Sequence, residues 1–153
     1  MNHKFDPERL RPPEFACEPD PRNTIFVRIN LTDGTSQPIE LADHHEGVSA
    51  CVLHAGVPED IVIQFETARN VYLYSWFIYR FFPVAEHQSL ACLELALRLR
   101  LKEEIRTGKI RGKRPTLRPL LEYTITHGFG KERRLFGMAK WRGFGLELRE
   151  NAR

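Results

Sequence analysis

The chain is poor in the residues from which small disulfide-bonded and metal-bound domains are built. Only three of its 153 residues are cysteine, Cys17, Cys51 and Cys92, and no two form a CxxC pair. That excludes a zinc ribbon and a thioredoxin-type motif, and widely spaced thiols in odd number point to a reducing compartment. Long apolar runs are also missing. The longest, residues 71–79, is bracketed by Arg69 and Arg80 and falls far short of the ~20 residues needed to cross a bilayer. The opening MNHKFDPERLRPPEF has no apolar stretch of the secretory kind. GxxxxGK[ST], GxGxxG, GxSxG and HExxH are all absent, so the familiar signatures of nucleotide binding, serine hydrolases and zinc proteases are absent with them. The expectation is a cytoplasmic protein that holds no metal and no cofactor and does not contact a membrane.

What the chain does have is charge, unevenly distributed. The net charge of +3 hides an acidic first part and a basic second part. Residues 1–97 carry 7 cations and 14 acids, a net of −7, whereas residues 98–153 carry 16 cations and 6 acids, a net of +10. The densest stretch, residues 98–118, holds nine Lys or Arg against Glu103 and Glu104. Lys109, Arg111, Lys113, Arg114 and Arg118 are candidates for nucleic-acid binding, because a cation cluster neutralises phosphates without reading sequence. Tyr123, Phe129, Phe136 and Trp141 downstream are candidates for stacking on bases. The competing reading is that these cations face solvent or dock on the acidic half.

The pattern along the chain predicts a mainly α protein with a β-hairpin near its start. Residues 1–22 contain five prolines and read as an extended arm. Residues 23–153 read as one domain. The β-rich run 24–31 followed by Asp33-Gly34 predicts a hairpin over about 24–41. Asp43 with Glu46 has capping-box spacing and opens a short helix over 43–56. Pro58, Glu59 and Asp60 start the main helix, whose three-and-four spacing runs through the aromatic segment to Phe82. Pro83 then breaks the pattern. A leucine-striped helix follows over 84–107, and Thr116 caps a third over 117–127, closing a helical core over about 43–128. Residues 129–153 form a basic, aromatic tail. A helix as apolar all round as the aromatic one suggests either a central place in the bundle or a homodimer interface.

Side chains with catalytic potential are few. Cys51 and His54 lie one turn apart, and His44, His45 and His54 cluster, but adjacent histidines on a helix diverge and no ligand spacing results. The weak candidates are Arg80, His87 and Glu94. His87, Glu94 and Arg98 share a helical stripe, where Glu94 reads either as half of a structural ion pair or as part of a polar groove.

Residues 65–104, with YSWFIYRFF followed by AEHQSL and LELALR, resemble the helical core of HEPN-like proteins, and TLRPLLEYTITHG is similar to the third helix of such bundles. The resemblance covers roughly half the chain. It implies an α-helical bundle, often dimeric, of the kind found in toxin–antitoxin, phage-defence and RNA-processing systems. Active members are metal-independent ribonucleases with an Arg, a polar residue and, a few positions on, a His on the last core helix. After Thr116 this sequence has His127 alone, with no His beyond the arginines that follow. The expectation is therefore a HEPN-like scaffold that binds RNA or a partner protein without a nuclease site of its own, either an inactive member or a version cut short of the motif. The alternatives are a metal-independent ribonuclease using Arg80, His87 and Glu94, and a structural homodimer joined through the aromatic helix.

Overall fold

The computed structural model describes residues 4–127. The protein is mainly α-helical with a small two-stranded hairpin near its start. Two 3₁₀ turns, Pro13–Phe15 and Pro21–Ile25, precede strands β1 (Val27–Ile29) and β2 (Ser36–Pro38). Five helices follow among the described residues: α1 (Leu41–Ser49), α2 (Glu59–Tyr74), α3 (Phe81–Arg100), α4 (Lys102–Arg106) and α5 (Leu117–Thr126). The expected tail, 129–153, lies outside the described residues.

The centre is an antiparallel pair, α2 against α3. Ile61 and Ala68 on α2 and Ala85 and Cys92 on α3 are buried between them. Gln88 donates to the Gln64 side chain across the pair at 2.6 Å. The Cys92 thiol donates to the Ile61 carbonyl at 3.6 Å, and burial raises its pKa. A second cluster closes the other end of α3. Leu97, Leu101, Ile110 and Leu120 are buried together, with Leu93, Ile105, Leu117, Leu121 and Tyr123 around them.

Three helix boundaries differ from those the sequence pattern predicts. The main helix stops at Tyr74 instead of running to Phe82, and residues 75–80 form a turned connection. Its end is closed from a distance. Asn23 donates to the carbonyls of Ser75 and Trp76 at 3.1 and 2.7 Å, the Asp20 carboxylate accepts the Tyr79 N–H at 3.0 Å, and the Asp20 N–H donates to Trp76. Pro83 accordingly sits in the first turn of α3, where its missing N–H costs nothing. The leucine helix pauses at Leu101, whose ψ of 22° turns α4 so that Leu101 and Ile105 both reach the second cluster. The first helix begins earlier and ends earlier than expected. A capping box exists, but Glu40 is the N-cap and Asp43 the third residue, accepting the Glu40 N–H at 2.9 Å.

The proline-rich arm is extended only in part. From Lys4 it is tied to the connection between α2 and α3. Asp20 is fully buried and takes three bonds from Arg22. Burial alone would raise its carboxyl pKa, but the Arg22 guanidinium and the Tyr79 and Arg22 N–H groups hold it below the ordinary value. Arg22 lies over the Tyr79 ring, and Glu8 bridges Arg22 and Arg80. Phe5 is buried against Phe15 under the Arg11 guanidinium. Prolines prevented a ladder here, but side chains docked the arm.

The hairpin pairs only with itself, Val27 with Pro38 and Ile29 with Ser36. Gly34 takes a φ of +72° in its loop, a conformation glycine adopts without strain. Arg28 reaches Asp43 and Glu46 on α1.

Candidate nucleic-acid interface

The basic segment lies between two buried anchors. Beyond α4, Gly108 turns the chain at φ +75° and Gly112 at φ +99°. Ile110 sits in the second cluster at 3% exposure, and Pro115 is buried at the other end. The N–H groups of Lys109 and Ile110 both donate to the Glu104 carbonyl. The loop is thus fastened by its apolar and backbone groups, which leaves its cations outside. Lys109, Arg111, Lys113 and Arg114 are all exposed. Among the described residues none of these four side chains makes a hydrogen bond or ion pair. Arg118, exposed on α5, pairs with Glu122 at 2.9 Å.

Glu94 and Arg98 form the far wall of this loop. They pair at 2.7 Å on α3. The same Glu94 carboxylate accepts the Leu117 N–H at 2.7 Å, and Arg98 donates to the Pro115 carbonyl at 2.9 Å. The expected cap of α5 by Thr116 is replaced by this one, since Thr116 is the N-cap residue but its side chain makes no capping bond. A carboxylate from a neighbouring helix therefore occupies the positive end of α5. Any polyanion must use the exposed cations instead.

The ion pairs decide where the opposite charges of the two halves go. Before Glu94, the ion-paired acids meet cations of their own half: Asp6 with Arg9, Glu8 with Arg22 and Arg80, Glu18 with Lys4, Asp20 with Arg11 and Arg22, Asp43 and Glu46 with Arg28, Glu66 with Arg69. After it, Arg106 pairs with Glu103 and Arg118 with Glu122. Glu94 with Arg98, a pair across the boundary, joins neighbours on one helix. The basic loop is not neutralised by the acidic half.

The candidate catalytic residues are not brought together. Arg80 precedes α3 and is held by Glu8. Glu94 is spent on Arg98 and Leu117. His87 is exposed on α3 and makes no hydrogen bond or ion pair among the described residues. Cys51 and His54 bond elsewhere, Cys51 to the Gly47 carbonyl and His54 to the Gly56 N–H. Among the described residues no three His, Cys, Asp or Glu side chains could hold a metal ion, and no helix is long and apolar enough to cross a membrane.

His44 has a role its sequence neighbours did not suggest. Its ring stacks on Tyr72 with centroids 4.7 Å apart and meets the edge of Phe82 at 5.7 Å. Its Nε2 lies 2.8 Å from the Tyr72 carbonyl and 3.3 Å from the buried Ser75 hydroxyl. Burial lowers the imidazole pKa against the opposing effect of the Tyr72 bond. The aromatic segment is thus largely engaged within the chain: Tyr72, Trp76, Phe77, Tyr79 and Phe82 are half-buried, and Tyr74 alone of its aromatic residues is exposed.

No protein-family model, curated protein or solved structure matches the chain.

Proposed function

We propose that this protein is a HEPN-like helical scaffold that binds RNA through the loop between α4 and α5 and has no nuclease site of its own. The observation that carries the reading is the loop itself. Four cations without a partner among the described residues, Lys109, Arg111, Lys113 and Arg114, stand in six residues with no acid among them, on a backbone anchored at Ile110 and Pro115. Preformed, unpaired charge needs no internal ion pair to be broken before phosphate is bound. The separation of Arg80, His87 and Glu94 supports binding without cleavage.

The test is fluorescence anisotropy of labelled single-stranded RNA with the full chain, without metal. If the four cations each neutralise one phosphate, the logarithm of affinity falls against the logarithm of salt with a slope of about −3, roughly fiftyfold between 50 and 200 mM. Exchanging Lys113 and Arg114 for Glu flattens that slope and weakens binding, with the helical signal unchanged. Salt-independent binding, or binding indifferent to the exchange, refutes the loop. RNA cleavage that disappears in His87→Ala refutes the scaffold and restores the ribonuclease.

A further inference from the structure

The hairpin has one closed edge and one open edge. Asn30 donates to Thr35 at 2.8 Å and Ile39 to Phe26 at 3.2 Å. With Val27 opposite Pro38, these bonds assign the hydrogen-bonded pairs of the antiparallel ladder to Phe26, Arg28 and Asn30 on the first strand. The N–H and C=O of Val27 and Ile29 therefore face away from β2. On β2 the matching outward positions are Ser36 and Pro38, and Pro38 has no N–H to offer. So β2 lacks one of its two outward donors, and β1 keeps both.

The side chains divide the same way. Arg28 faces the helical body and meets Asp43 and Glu46 of α1. Val27 and Ile29 lie on the opposite face, 48% and 59% exposed, and Ile25 and Leu31 beyond the strand ends are 72% and 94% exposed. Four aliphatic residues left in water are comparable to the largest apolar patches of ordinary monomers, about 300–600 Å². The β1–β2 pair makes no substantial contact with any of the described helices that would cover them.

We propose that the open edge of β1 pairs with β1 of a second copy of this chain, antiparallel and about a twofold axis at Arg28. In that register Val27 stands opposite Ile29 of the second copy and Ile25 opposite Leu31, so every outward pair is aliphatic and both strands exchange their free backbone bonds. The two Arg28 side chains lie on the other face, each held by its own Asp43 and Glu46. Two copies of the stripe with their strand backbones offer on the order of 1,000 Å², the lower bound for a specific interface. The occupant is a second copy because the edge is complementary to itself, and because Pro38 makes β2 the poorer edge, so the assembly ends at two. A run of identical open edges would instead build a filament.

The experiment is sedimentation equilibrium of the full chain from low to high micromolar concentration. The mass is expected to rise from 17.8 kDa toward twice that value and stop. Ile29→Lys places two cations in the interface, and Val27→Pro removes one outward N–H without touching the bonds to β2. Each is expected to raise the dimer Kd at least tenfold while circular dichroism keeps the helical signal. A monomer throughout overturns the proposal, whatever segment covers the edge. So does a dimer that neither substitution weakens, or a wild-type assembly that grows beyond two.

Discussion

His44 shows how one side chain can hold an element that buries no apolar residue of its own. Nothing in α1 is fully buried. Its attachment to α2 runs through the His44 ring on Tyr72, the bond from Nε2, and Arg69 reaching the Val48 carbonyl at 3.3 Å. Around the ring stand Tyr72, Trp76 and Ser75 from α2 and its end and Phe82 from α3, with no carboxylate to favour a proton. The folded pKa lies below the unfolded one, so the folded protein binds the proton less well. The stabilisation from neutral His44 is complete above the unfolded value of about 6.5 and is lost as pH falls through the folded value. Urea midpoints are expected to decline from about pH 7 to pH 5, and His44→Phe to flatten that decline. A wild-type midpoint constant over this range contradicts the assignment.

At the scale of the element, α5 owes its start to another helix. Leu117, Leu120 and Leu121 place it against α3, as the spacing in the sequence predicts, and its observed span is within a residue of that prediction. The cap was not legible locally, because Glu94 lies 23 residues upstream. Glu94→Ala removes the cap and the partner of Arg98 together. The expected cost is about 1 kcal/mol from the cap alone. Amide exchange in α5 is expected to quicken before that of α2 and α3. If the loop binds RNA as proposed, affinity is also expected to fall in this variant although no cation has been removed, since Arg98, which donates to the Pro115 carbonyl, has lost its partner. Unchanged exchange in α5 refutes the capping role. The hairpin was legible for a different reason: Asp33-Gly34 is a signal contained in its own loop, where the Asp33 carboxylate takes both the N–H and the hydroxyl of Thr35.

For the whole molecule, the features hidden from the sequence are those joined over long separations. The apolar pattern of 61–82 reads as one helix because nothing nearby forbids it. It is ended at Tyr74 by Asn23 and Asp20, 52 to 59 residues away. The basic loop was legible as composition, whereas its freedom from the acidic half required the ion pairs to be seen. The arm reads as extended because proline argues against ladders and says nothing of buried carboxylates. Asp20→Asn takes from Arg22 its buried carboxylate and leaves it only the more exposed Glu8 as charge partner, and is expected to cost about 3 kcal/mol in urea unfolding. The Asp20 carboxyl pKa is depressed, so its contribution is present above about pH 4 and lost as pH falls through the folded value. An Asp20→Asn protein as stable as the parent removes the arm from the core.

The docked arm also bears on the order in which the chain acquires its shape. During synthesis Asp20 and Asn23 leave the ribosome long before residues 75–79, the groups they bind. Until those emerge, the arm has nowhere to settle, and α2 has nothing to end it. When the aromatic run emerges, the turn between α2 and α3 is completed from behind, by residues already waiting. A fragment begun after residue 24 contains the five described helices and lacks the side chains that separate the second from the third.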